Sequence, residues 1–267
     1  DRLFGYEGED RSIESPSLAE EFEEEEMALT VKIHEGVLFH NGREMTAEDI
    51  VANIDRAKDE SIGHYLAGAF AGAVESAEAI DKYTVKINYN KVYPLKFIDL
   101  SQLFIIAPEG MDSIQSEPAG SGPWMLDSYA PGDKVAFKRN PNYWQAPMPY
   151  MDGTETKFID DAQSRIANLE SGAIDVAFRV PYADVQRIQD EGELQVIPNP
   201  PGGLWLLNSF NVRVPPLDNK LVRQAFFYAT DREKIAQLAY HGLVPAVQTR
   251  YVPGQFWYSE EAANMYT

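Results

Sequence analysis

Apolar and polar positions alternate with period two from Leu29 to Ile33, where Leu29, Val31 and Ile33 are interleaved with Thr30 and Lys32. After a Glu35-Gly36 turn, Val37 and Phe39 resume the rhythm, which predicts a half-buried strand and turn. Residues 83–89 alternate again, so Tyr83, Val85, Ile87 and Tyr89 share one face of a second strand. Between these stretches the period changes. Ile50, Ile54 and Ala57 recur at helical spacing behind Thr46, and Thr46 and Asp49 have the spacing of a capping box, which predicts a helix starting at Thr46. Residues 1–118 therefore read as a small α/β subdomain. Within it, the acidic run over residues 20–26 reads as a solvated turn between the end of a helix and the strand that follows.

Residues 118–123 contain two prolines and two glycines, through which no regular element runs, and the first subdomain boundary is placed there. Beyond it, residues 134–138 alternate as a strand and residues 156–159 as another. Asp160 or Asp161 then caps a helix that turns Ala162, Ile166 and Leu169 inward and stops at Gly172. Residues 174–178 form a short apolar run of the buried, parallel-strand type, completing a βαβ unit. A helix over 182–190 and a strand over 194–197 continue the alternation, which argues an α/β sheet. Pro215 and Pro216 halt what precedes them. Asp218 is positioned to cap a helix carrying Leu221, Val222, Ala225 and Phe226 inward, and Thr230 with Glu233 to open another through Ile235 and Leu238.

Composition narrows the functional classes. With 44% hydrophobic and 12% aromatic residues, the 267-residue chain has the material of a globular core. It has no cysteine, which removes disulfides, thiolate metal sites and cysteine nucleophiles. The formal net charge of −19, concentrated in the first 118 residues, repels phosphate backbones and makes nucleic acid an unsuitable partner. No run approaches the roughly 18 apolar residues of a membrane span, and the first residues lack a signal-peptide pattern, so direct membrane insertion is not expected.

Four separated blocks carry a family resemblance. Residues 39–50 run from Phe39, His40, Asn41 and Gly42 through Arg43 and Thr46 to Ile50. Gly120, Ser121, Gly122, Pro123 and Trp124 form a turn, and Arg139, Asn140, Pro141, Asn142, Tyr143 and Trp144 an Asn-Pro block. Residues 211–235 hold the two prolines and the two helix starts. Together and in this order they resemble the family 5 solute-binding proteins, the peptide and nickel receptors of ATP-driven importers. Ser121 stands where the family usually has Thr, and Trp124 where it has Tyr. The resemblance implies an α/β, periplasmic-binding-protein-like type II fold, with mixed sheet lobes, helices on both faces and an incomplete second lobe. It divides the chain into residues 1–118, a subdomain of lobe I; 119–207, the ligand-facing core of lobe I; and 208–267, the start of lobe II. It implies a longer protein, periplasmic or extracellular and in full length lipid-anchored, that closes about a hinge on a small peptide or related solute and delivers it to an ABC permease. A face left open between lobes would favour self-association.

In open α/β sheets ligands sit beyond the carboxyl ends of strands, so Arg179, after the 174–178 run, is a candidate partner for a ligand carboxylate; the alternatives are a solvated arginine or an ion pair with Asp184. The segment ending at Asn208 offers Gly203 for close backbone approach and Trp205 as a pocket wall, and in relatives the corresponding strand bonds bound peptide. Trp205 as a core residue is equally consistent. The resemblance places Tyr65 at the cleft. Tyr143 and Trp144 read as structural anchors. His34, His40, His64 and His241 lack metal-ligand spacing, and neither a metal nor a cofactor is expected. The adjacent acids Asp160 and Asp161 are explained by helix capping, and no nucleophile elbow, zinc-protease motif or phosphate loop occurs, so catalysis is not expected. A hydrolase using an acidic pair, and a sensor or chaperone domain on the same fold, are the rival readings.

Overall fold

The computed structural model describes residues 1–7, 12–111, 114, 117–198, 209–249, 251–253 and 258–265, without the side chains of 6–7 and 12–16. Backbone proximity divides the chain into two compact units, Asp1–Phe158 and Ile159–Thr267. The boundaries expected at 118 and 207 each fall inside one of these units.

The first unit is built on antiparallel sheets. Strands β1 (Phe4–Glu7) and β2 (Ser12–Pro16) form a ribbon. Strands β3 (Ala19–Glu25), β4 (Ala28–Ile33), β5 (Val74–Ala79) and β6 (Thr84–Tyr89) form a four-stranded sheet in the order β3-β4-β6-β5. Strands β7 (Trp124–Ala130), β8 (Lys134–Arg139) and β9 (Gly153–Lys157) form a meander. The alternation read along residues 29–33 and 83–89 is realised directly. Leu29, Val31 and Ile33 of β4 and Val85, Ile87 and Tyr89 of β6 are buried on one face. Helix α1 (Ala47–Lys58) lies on β5 and β6 and buries Ile50, Ile54 and Ala57 completely. Each of the two isoleucines, fully buried, stabilises the fold by about 1.5–3 kcal/mol. The capping box forms as expected, with Asp49 accepting the Thr46 amide at 2.8 Å. Two short helices, α2 (Ala67–Ala73) and α3 (Lys96–Leu100), complete the core through Phe70 and Phe97.

The acidic run departs from expectation. It is not a turn after a helix; it is the edge strand β3. Phe22 anchors it edge-to-face against Phe4 and Phe97, with centroids 5.4 and 5.3 Å apart. Glu20, Glu24 and Glu25 pair with Lys32, Lys96 and Lys86 at 2.7, 2.5 and 2.9 Å. A dense row of carboxylates along a sheet edge discourages another strand from adding there. The five acids in β3 conceal a strand because its positions after Ala19 meet water on both faces, and only Ala19 and the ring contacts of Phe22 report the core.

The second unit is helical among its described residues. Helix α4 (Ala162–Glu170) is capped by Asp161, α5 (Tyr182–Glu191) closes at Gly192 in a left-handed conformation, and α6 (Lys220–Ala229) and α7 (Arg232–Tyr240) follow. Residues 174–178 and 194–197 are not strands, so the expected βαβ unit is absent. A strand requires a neighbour to take its N–H and C=O groups, and the described residues of this unit supply none. The strand expected over 156–159 lies instead at β9. Caps also move by one position: Asn219, not Asp218, caps α6, and Asp231, not Thr230, caps α7. Thr230 donates instead to the Phe226 carbonyl at 2.6 Å. In each case an adjacent amide or carboxylate side chain takes the cap, since these residues serve as well as Thr or better. The faces of α6 and α7 expected to turn inward are open, with Leu221 72% and Leu238 71% exposed.

Candidate functional site

The site residues are built from the loop between α4 and α5. Asp161 fixes the start of α4 by accepting the Ser164 amide at 2.7 Å, and its pKa is held below the usual carboxylate range, first by the Ser164 hydroxyl and then by that amide. This carboxylate is occupied as a cap, which explains the Asp160-Asp161 pair without chemistry. Gly172 takes a left-handed conformation and releases the chain from α4. Seven residues later Arg179 does the same with φ 58°. An L-residue pays about 1–2 kcal/mol for such a conformation, so the turn must be held by its surroundings.

The holding group is Arg165 on α4. Its Nη1 donates to the Ile159 and Asp160 carbonyls at 2.7 and 2.9 Å, and its Nη2 donates to the Arg179 carbonyl at 3.2 Å. The Arg179 side chain is exposed and has no ion-pair partner among the described residues. The alternative pairing with Asp184 does not form. Asp184 instead accepts from Gln163 at 2.9 Å and lies 3.8 Å from Arg187, whose guanidinium also meets Glu170 and Glu191. Val176 and Phe178, beside Arg179, are open to solvent. The loop thus presents one cation flanked by apolar side chains, a chemistry suited to an amphipathic anion. Two concavities in this unit, about 310 Å³ by α6 and α7 and about 210 Å³ between α4 and α5, are not lined by any residue expected at the site.

Tyr65 belongs to the first unit. Its ring stacks on His64 with centroids 4.7 Å apart, its hydroxyl donates to the Gln102 carbonyl, and 64% of its surface meets solvent. Burial and then the Arg56 charge lower the His64 pKa, favouring the neutral ring on which Tyr65 lies. Gly203, Trp205 and Asn208 lie outside the described residues. Among the described residues, no group of three or more His, Asp or Glu side chains is arranged to hold a metal ion.

The motif blocks of the first unit converge elsewhere. The Gly122 carbonyl accepts from His40 Nε2 and from Asn140 Nδ2, both at 3.0 Å, joining residues 39–50, 120–124 and 139–144 at one point. The Gly120 carbonyl accepts from the His40 amide at 2.7 Å. Trp144 donates to Asp1 Oδ2 at 3.0 Å and rests on His34. Nearby, Arg43 clamps Asp49 with two bonds of 3.0 and 2.8 Å and Glu109 with two of 2.7 and 2.9 Å. The Arg43 hydrogen bonds bring the Glu109 pKa down to about 2. Sequence reasoning missed both Arg165 and this clamp. Their only signal was an arginine near each helix start, four residues after Asp161 or six before Asp49.

A model of the bacterial extracellular solute-binding proteins, family 5 Middle, matches residues 15–267. The glutathione-binding protein GsiB of Escherichia coli O1:K1 / APEC is 29% identical over 241 residues, which are 88% of this chain and 46% of that protein. The binding protein AgaA from A. tumefaciens R10, in complex with agropinic acid, superposes with a TM-score of 0.83 at 24% identity, covering 99% of this chain and 54% of its own. The oligopeptide-binding protein AppA from Bacillus subtilis, in complex with a nonapeptide, gives 0.82 at 24%, covering 97% and 53%. The architecture is that of type II periplasmic binding proteins. The chain spans about half the length of the relatives it matches.

Proposed function

Because the chain belongs to family 5 of the bacterial extracellular solute-binding proteins, we propose that it forms part of the substrate-binding receptor of an ABC importer. The receptor captures a small peptide or related solute between two lobes and hands it to a membrane permease. The observation that carries this reading is the Arg179 turn. An exposed guanidinium with no ion-pair partner among the described residues, held in a left-handed conformation and flanked by Val176 and Phe178, suits a ligand carboxylate beside an apolar group. Strain of this kind tends to be kept where function requires it. Glutathione, a nonapeptide and agropinic acid, the ligands named for the relatives, share such a carboxylate. Gly203, Trp205, Asn208 and Tyr65 are the further contacts of this proposal, with residues 208–267 beginning the second lobe.

The receptor works by closure. A ligand that touches both lobes favours the closed state only by its differential affinity for that state, and the permease reads the closed form. No covalent step is required, and the relatives are solute-binding proteins rather than enzymes. The protein acts outside the cytoplasmic membrane, periplasmic or extracellular. Among the described residues no helix is long and apolar enough to cross a membrane.

The test is a thermal-shift panel on the full-length protein with glutathione, a tripeptide pool, a nonapeptide, an opine and a sugar set. A ligand at about a hundredfold excess over its Kd stabilises the native state by about 2.7 kcal/mol, enough to raise Tm by several degrees. A shift with carboxylate-bearing peptides and none with neutral sugars is expected. A shift with sugars alone would overturn the peptide assignment.

A further inference from the structure

We infer that Arg165, which the sequence does not single out, is the positioning residue for solute capture: it sets the pose of the Arg179 turn without touching the solute. The inference rests on the reading of Arg179 as a carboxylate partner. Arg165 rises from the first turn of α4 and spans two segments that are distant in sequence. On one side it takes the Ile159 and Asp160 carbonyls leading into α4, at 2.7 and 2.9 Å; on the other it takes the Arg179 carbonyl leading into α5, at 3.2 Å. A planar fork can do this with two nitrogens in fixed relation, whereas a lysine ammonium is one compact donor centre on a flexible stem.

The left-handed φ of Arg179 gives this bond its consequence. In that conformation the Cα–Cβ bond leaves the backbone in a direction that neither strand nor helix geometry gives. Released from Arg165, the turn relaxes toward ordinary backbone angles and the guanidinium swings off its line. No other bond to the Arg179 backbone is found among the described residues, so the tie to α4 fixes that carbonyl. Asp161 caps the same helix end and Pro181 opens α5, which leaves the two elements rigid and the turn between them adjustable.

The experiment uses the full-length protein with Arg165→Gln, Arg165→Lys, Arg179→Ala and the Arg165→Gln/Arg179→Ala pair. The probes are a tripeptide pool with free carboxyl termini and the same pool amidated. Arg165→Gln is expected to cut the preference for free acid over amide about tenfold, the same loss as Arg179→Ala, with no further loss in the double variant. Affinity for the amidated pool stays within about twofold. Arg165→Lys, which keeps the charge and guards against a folding failure of the glutamine variant, is expected to recover the melting temperature but not the preference. Without any solute, the backbone carbonyl carbon resonance of Arg179 shifts in both Arg165 variants while those of α5 are unchanged. An unshifted Arg179 carbonyl resonance, or equal losses for acid and amide, overturns the positioning role alone. An Arg179→Ala protein that keeps its acid preference overturns the carboxylate reading, and the inference with it.

Discussion

In the first unit the apolar positions of α1, β4 and β6 are closed to water, with Ile54 and Ile87 wholly buried, whereas in the second unit positions of the same kind on α6 and α7 stand open. Leu221, Phe226, Ile235 and Leu238 are half to mostly exposed, and α6 has no buried residue at all. The helical rhythm of α6 is as good as that of α1. The difference teaches that periodicity names the apolar face of an element but not what covers it. In the first unit α1 meets β5 and β6 from the same stretch of chain, so local pattern and burial coincide. In the second, the described residues provide five helices beyond β9, the last a short one over Glu260–Ala263, and no sheet for them to lie on.

The comparison predicts unequal responses to one kind of change. Ile54→Ala empties a filled site in the first unit and should cost about 2–5 kcal/mol in urea unfolding. Leu238→Ala, the same truncation of a branched side chain in the second unit, should alter stability by no more than about 0.5 kcal/mol, because its surface is already wet. Equal costs would show that the two units are packed alike and would break the comparison. Between these extremes lies acid sensitivity. Glu109 and Glu44 both have pKa values lowered from 4.5 to about 2, Glu109 first by Arg43 and Glu44 first by Lys82. A folded-state pKa below the unfolded one means the contribution is complete above pH 4.5 and is lost as pH falls toward 2. Both carboxylates are substantially exposed, so the effect is modest and screened by salt. Melting curves between about pH 5 and about pH 2 should show a fall for the wild type that is smaller for Glu109→Gln; an identical fall would remove the clamp from the account.

What was legible follows the same line. The capping box of α1, the faces of β4 and β6, the end of α4 at Gly172 and the cap at Asp161 are decided by residues within a few positions of one another, and the sequence displays them. The strand character of β3 was hidden because its carboxylates are matched by lysines on β4, β6 and α3, none adjacent in sequence. Residues 174–178 looked like a strand because a short apolar run has no signature that separates a paired strand from an open loop. Of the site, Arg179 could be found from a rule about strand ends, although no strand precedes it here. Its conformation and its tie to Arg165 could not, since both arise from two segments brought together by α4. Gly203 and Trp205 rest on residue type together with the family resemblance, and with Asn208 they lie outside the described residues.

The most direct test of capture without chemistry is native mass spectrometry of the full-length protein mixed with the free-acid tripeptide pool. The account predicts one intact tripeptide retained per protein molecule and little retention from the amidated pool. Retention of neither pool, or recovery of hydrolysed fragments in place of intact peptide, would contradict it.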